Sequence, residues 1–446
     1  MSPGASARRR WSNGPFDRAF WLGEIDARLP AVFRIGLAAV LLLDLLGEFP
    51  IVTALYGAHG VWPPLHVRGF LHHLSDRALL FAWAGGCLAL GSLMLGLFSR
   101  ASATASWIFL VAVHLRNEAI CSGGDYLAQI CLFFLIWLDA GAAYSLDARW
   151  RGRGRRFVAA APWRAMQVHV ALLYVFTAAF KMAGAWATGD GIFLALQQLG
   201  FVRPFGAWLF SHPSLCLLTN YCIVALEASV GILALSPIYS PGARLGAGLG
   251  NVMVQLGIFS TMRVGVFTMV MLWMTVLFFP EPTPAPEVPA TPRRWALLTL
   301  CIGAVALASG TGIVRLPLRL QAARAYLGLR QPLDLFGAGI PIAQWRARGR
   351  LDDGSEVDVL AAAPGFRSEV GWVYSPFYKL TFGDSLDHAA IARWLCGAYR
   401  DETGKPLRSI VLSTHARPPV RPGVDAPFTD TILYDDTCPI VRDNDR

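Results

Sequence analysis

Apolar runs close to the length of a bilayer crossing recur from Ala31 to about Val314, and nothing else in the sequence limits the fold so strongly. A crossing helix takes about 20 mostly apolar residues, because backbone polar groups in hydrocarbon have to bond to one another. The candidate spans are 31–49, 79–98, 102–115, 126–144, 165–184, 214–235, 245–261, 264–280 and 295–314. The seventh and eighth would fuse, giving eight spans, if Arg263 sat at mid-membrane. An arginine there is costly, so nine spans with Arg263 at a turn are expected. With 54% hydrophobic and 15% charged residues, the chain reads as a polytopic α-helical membrane protein, not as a string of soluble domains.

The arginines orient these spans. The leader, 1–30, carries Arg8, Arg9 and Arg10 and has no apolar stretch of signal-peptide type; its Trp and Phe residues suit an interfacial segment. The loop "DARWRGRGRRFVAAAPWR" carries Arg149, Arg151, Arg153, Arg155, Arg156 and Arg164, and Arg293 and Arg294 precede the last span. With the N-terminus inside, nine spans put all three groups on the cytoplasmic side, as the positive-inside bias asks. Orientation and lipid phosphates then account for the net charge of +9. The expected partner is the lipid bilayer, with no role for nucleic acid. "PEPTPAPEVPATP" becomes a cytoplasmic linker too proline-dense for regular structure.

The odd span count leaves a connector, 315–336, and a tail, 337–446, outside. The tail is built of different material. "WRARGRLDDGSEVDVLAA" reads as two strands joined at Asp352-Asp353-Gly354. "SLDHAAIARWLCGAYRDETG" has a cap and helical apolar spacing, and "RSIVLSTHA" is another strand. A small extracytoplasmic α+β domain is expected. The eight cysteines are scattered singly with no CxxC pair, so neither a disulfide framework nor a metal site is indicated. His59, His66, His72 and His73 lack ligand spacing.

Lys181 stands out. The chain has three lysines, Lys181, Lys379 and Lys405, among 39 basic residues, and this one sits in the apolar stretch "VFTAAFKMAGAW". Arginine is the default cation here; a lysine differs in being able to lose its proton when desolvated. The topology brings other polar residues to the same outer side: Arg116, Asn117 and Asp125 around "CSGGDY", Trp186 just after Lys181, Arg263 at its turn, Gln255 two helical turns deeper, and Glu227 in span six. A shared outward-facing polar pocket is the expectation. The blander alternatives are a snorkelling Lys181, arginines on headgroup phosphates, and Glu227 as a structural tie. Arg34 and Asp44 in span one read as such a tie.

These pieces resemble a family. "RNEAICSGGDYLAQICLFFLIWLDAGAAYSLD" (116–147) looks like the signature of the horizontally transferred transmembrane (HTTM) domain, bacterial relatives of vitamin K-dependent γ-glutamyl carboxylase. "RIGLAAVLLLDLL" followed by "LYGAHGVWPP", the lysine span with its Trp-x-x-Gly, Glu227, "GIFSTMRVGVFTMVMLWMTVLFFP" and "WRARGRLDDGSEVDVL" match in order, over about residues 30–415. The resemblance implies an HTTM-like domain over 31–314 in the bacterial cytoplasmic membrane. It also implies that Lys181 is the base that deprotonates a reduced, vitamin K hydroquinone-like quinol. Oxygen then converts that quinol to an epoxide, and a strong base formed on the way lets a glutamate of a peptide or protein on the outer face take up carbon dioxide, a lyase reaction. A neutral amine suits the first step.

The chain departs from that pattern in three places. Gly123-Gly124 stand where the carboxylase has Asn-His, and Gln255, which exchanges no proton at neutral pH, stands where many relatives have histidine. The outer domain is also shorter than the carboxylase's substrate-binding region. The expected function is therefore a quinol-dependent enzyme using a buried lysine, without glutamate carboxylation. The alternative is a non-catalytic partner-binding, export or resistance protein in which the polar cluster only holds helices together. The C-terminal "TILYDDTCPIVRDND" resembles the opening of the DCC thiol-disulfide oxidoreductase family, but Val441 replaces the second cysteine, so no dithiol exchange is expected.

Overall fold

In the computed structural model the described residues are 15–58, 60, 74–118, 121–150, 152, 154–197, 202–238, 240–281, 286, 288–310, 316–331, 342–362, 388–421 and 423–438. His59, His66, His72, His73, part of the proline-rich linker and the end of the ninth expected span lie outside them.

Each expected span coincides with a helix: α1 (Arg28–Glu48), α2 (Asp76–Leu95), α3 (Ser99–Arg116), α4 (Gly123–Trp137), α5 (Ala161–Lys181), α6 (Pro213–Ala234), α7 (Ser240–Thr261), α8 (Phe267–Met274, continued by a 3-10 turn to Phe278) and α9 (Pro292–Ser309). Three segments, Arg28–Tyr56, Asp76–Leu95 and Pro213–Ala234, are long and apolar enough to cross a membrane. Large apolar side chains such as Phe81, Leu88, Ile232, Leu249, Met253 and Ile302 face outward from the helices, where water would penalise them and lipid does not. This is a helical membrane protein with a small antiparallel sheet near its C-terminus.

α5 is the central helix, packed against α4, α6 and α9, while α8 packs on α1, α4 and α7. Close approach needs missing side chains at two places. A Cβ on Gly36 would overlap the Trp273 indole, whose Nε1 donates to the Phe33 carbonyl at 2.9 Å. A Cβ on Gly124 would overlap the Phe267 backbone. The second glycine of "GGD" is thus where α4 and α8 touch, a position with no room for the imidazole that the carboxylase carries there.

Arg34 is a structural tie, as expected, but not to Asp44. Ten residues along one helix separate them by about 15 Å, and Arg34 instead donates to the Tyr144 carbonyl (2.6 Å) and to Ser99 Oγ (3.4 Å). Asp147, which closes the signature, accepts from the Phe98 and Ser99 amides and from Ser99 Oγ. The motif's end is a clasp joining the start of α3 to the loop after α4. Residues 15–30 of the leader are built into the fold: β1 (Glu24–Asp26) pairs antiparallel with β2 (Phe157–Ala159), with Phe20 and Leu22 buried.

Beyond α10 (Leu318–Tyr326), the tail forms a four-stranded antiparallel sheet of order β4-β3-β5-β6, from β3 (Ile342–Arg350), β4 (Glu356–Asp358), β5 (Ser409–Arg417) and β6 (Thr429–Thr437), with α11 (His388–Thr403) packed on it. The reading of unpaired cysteines is corrected here: Cys396 in α11 and Cys438 after β6 form a disulfide across 42 residues. Single cysteines that far apart gave no spacing signal, and only the packing of α11 beside β6 brings them together.

Candidate functional site

The helical spacing of α5 places Tyr174, Thr177 and Lys181 on one side, since residues three, four and seven apart share a face. All three line a cavity of about 300 Å³ bounded by α6, α7, α8 and by residues within 186–196 and 205–209. The walls are mostly apolar: Leu173, Ile192, Leu196, Val254, Phe267 and Met271 contribute, and Phe205 and Trp208 stand at half-exposed positions along it.

The polar groups gather at one pole. Lys181 Nζ donates to Glu227 Oε1 at 2.6 Å, both side chains being 6% exposed. The same amine lies 4.5 Å from the centroid of the Trp186 ring, within cation–π range. Trp186 is itself anchored, its carbonyl accepting from Asn220 Nδ2 at 2.8 Å. The amine is thus held on two sides by α6 and by the short helix Gly184–Ala187, inside the protein.

A second chain of hydrogen bonds fixes Gln255. Asn251 Nδ2 donates to the Met271 carbonyl (2.8 Å) and to Thr275 Oγ1 (2.7 Å), so Asn251 Oδ1 faces Tyr174. The Tyr174 hydroxyl spends its one proton on that oxygen at 2.6 Å, and Gln255 therefore offers it an N–H, at 3.0 Å. The carbonyl of Met271 accordingly dictates, through two side chains, that Gln255 Oε1 is left over. Among the described residues Gln255 Oε1 and Glu227 Oε2 are buried acceptors without a hydrogen-bond partner. Buried acceptors of this kind are rare in native proteins, and each needs a reason.

The expected shared pocket is divided by the structure. Lys181, Trp186, Glu227 and Gln255 meet in the cavity. Arg116, Asn117 and Asp125 do not: Arg116 donates to the carbonyls of Tyr56 and Leu74, and Asn117 Nδ2 to that of Leu55 at 2.8 Å. Asp125 closes a capping box with Ser122 at the start of α4 and lies 3.8 Å from His114 Nε2. These signature residues pin down the turn after α1 and the entry to α4. The reason is geometric: α3 packs on α2, and α4 meets α1, so the loop between them carries these residues to the carbonyls of 55–74 and away from the α5–α6 face that holds Lys181. Arg263 is half-buried at the turn between α7 and α8, next to cavity-lining Met262.

Sequence reasoning missed Tyr174, Asn251, Phe205 and Trp208. Tyr174 stands seven residues before Lys181 and Asn251 four before Gln255, so both share a face with a residue already singled out. No comparable signal marked the segment 202–210. The preceding stretch, 190–197, meets the tail: Gln197 Nε2 donates to the Val420 carbonyl at 2.7 Å, Gln197 Oε1 accepts from the Val420 amide at 3.4 Å, and Arg421 pairs with Asp190 at 3.1 Å.

Residues 23–282 match the family model described as HTTM domain. No curated protein and no solved structure matches the chain.

Proposed function

Because the chain belongs to the HTTM domain family, we propose that it is a multi-pass membrane enzyme whose cavity takes a lipid-soluble quinol and whose Lys181–Glu227 pair handles the quinol's proton. The observation that carries this reading is the pair of buried acceptors, Glu227 Oε2 and Gln255 Oε1, left without partners among the described residues in a mostly apolar cavity. Such a site favours a ligand with an apolar body and hydroxyl donors, since an unpaired buried acceptor is costly and a donor relieves it. When bound, a quinol would supply the reducing equivalents for chemistry with oxygen. The chain's part is to orient the hydroxyls on Glu227 and Gln255, to keep water out with Phe267, Met271 and Trp186, and to accept a proton at the Lys181–Glu227 pair. An arginine at 181 would remain protonated, which would end the amine's own part in that exchange.

Glutamate carboxylation is outside this proposal. Gly124 packs against the Phe267 backbone where the carboxylase has an imidazole, and Gln255 is held as an amide donor to Tyr174.

The same proposal takes the nine helices as nine membrane passages, with the leader 1–30 and the arginine-rich loops inside, the HTTM-like unit spanning 31–314, and the connector and 337–446 outside. The cavity then opens toward the outer side, and the Cys396–Cys438 disulfide lies in a compartment that permits it.

One observation favours the non-catalytic alternative: a 2.6 Å ion pair between α5 and α6 also serves as a helix tie. Quinol oxidation by purified protein separates the two. Lysine-dependent turnover, lost in Lys181→Arg although that variant folds, supports the enzyme. A folded preparation that neither binds nor turns over a quinol favours the tie.

A further inference from the structure

At the opposite end of the bundle from Lys181, a cleft of about 1350 Å³ opens between the first turns of α9, the start of α3 and the end of α4. It exceeds the ~300–1,000 Å³ of ordinary small-molecule pockets. One wall is apolar and lies along the helices: Phe98, Ile136, Trp137, Leu297 and Leu300, of which Phe98, Trp137 and Leu300 are exposed.

The rim is charged, and most of its charges are already matched. Arg294 pairs with Glu24 at 2.7 Å and donates to the Leu22 and Gly23 carbonyls. Arg155 pairs with Asp139. Asp147 is held by the Phe98 and Ser99 amides, with Arg34 reaching Ser99 Oγ behind it. What remains is Arg100 and Arg293, both exposed and, among the described residues, without a carboxylate partner. Each stands in the first turn of a long helix, α3 or α9; Asp147 takes up the amides at the start of α3, while the start of α9 adds positive potential to the mouth.

We propose that this cleft is a binding site for an anionic phospholipid, the phosphate resting between Arg100 and Arg293 and an acyl chain lying along Trp137, Leu297 and Leu300. Charge complementarity selects the headgroup: two unmatched guanidiniums suit a phosphate, which guanidinium groups bind in bidentate fashion. The apolar wall selects a lipid over a free phosphate ion. The place fits, since the cleft lies where helix ends carry the arginines and basic pockets between helices on that side of a bilayer recognise anionic headgroups.

The test uses the full-length protein in a neutral detergent, with adducts counted by native mass spectrometry as phosphatidylglycerol or phosphatidylcholine is added. At about fivefold per arginine, phosphatidylglycerol should bind on the order of thirtyfold more tightly than phosphatidylcholine. Arg100→Gln/Arg293→Gln should bring the two lipids together, Arg100→Gln alone should remove about fivefold, and Arg77→Gln, at the far end of the bundle, should leave the preference intact. Equal binding of the two lipids by the unmutated protein, or an undiminished preference in the double variant, overturns the proposal. So does displacement of phosphatidylglycerol by an equal concentration of inorganic phosphate, which would make the site one for the phosphate alone.

Discussion

Lys181 donates to one oxygen of Glu227 across 2.6 Å, while the other oxygen of that cavity-lining carboxylate is buried with no partner among the described residues. The bond joins α5 to α6, and removing either end strands a buried charge. Lys181→Met or Glu227→Leu alone should each destabilise by about 3–5 kcal/mol, and the double variant by clearly less than their sum. Unfolding in detergent as a double-variant cycle measures this. Additive losses would mean that the two side chains do not act as a pair.

Gly124 makes a second prediction. A side chain there meets the Phe267 backbone, which cannot rotate away. Gly124→Val should lower stability by about 1–3 kcal/mol, the usual cost of overpacking, seen as a reduced thermal midpoint and yield. Gly85, whose added Cβ meets nothing within 4 Å, is the control: Gly85→Ala should be tolerated.

The outer tail should depend on its disulfide and lie across the membrane from the arginine loops. Closing a loop of 42 residues stabilises by about 4 kcal/mol on the chain-entropy account, so Cys396→Ser should open the tail to proteolysis under conditions where the unmutated protein resists. In intact cells an impermeant thiol reagent should label Ser355→Cys and not Arg149→Cys. The reverse pattern would invert the proposed orientation.

Acid should loosen the same sheet. The hydrogen bond from His415, with Arg346 nearby, holds the exposed Asp430 carboxyl below the usual aspartate range. A depressed folded value means that this contribution is present above about pH 4, the ordinary aspartate value, and is lost as pH falls through the folded one. Proteolytic susceptibility of the tail between pH 6 and 3 should therefore rise less steeply in Asp430→Asn than in the unmutated protein.

Apolar length carried the helices, because bilayer thickness and the bonding demands of a buried backbone leave few alternatives. Lys181 and Glu227 were legible for the same reason, as charges where charges are costly. The division of the polar residues was not. Arg116, Asn117 and Asp125 share a loop and a proposed depth with the lysine site, yet their partners are backbone carbonyls and a helix cap, and sequence does not say which neighbouring helix a face meets. Likewise Cys396 and Cys438 pair only through the register of a sheet whose last strand lies outside the matched signature.

The contact of Gln197 and Arg421 with Val420 and Asp190 bears on how a molecule would reach the lysine. It fastens the tail to the stretch 190–197, which borders the cavity at Ile192, Ala195 and Leu196, while Phe205, Trp208 and Leu215 leave an apolar flank beside it. Entry by that flank would make occupancy follow the solute's partitioning into lipid and its mole fraction there. Two quinols with identical headgroups but different tails would then differ in apparent affinity by the ratio of their partition coefficients, with no difference in any contact to the protein.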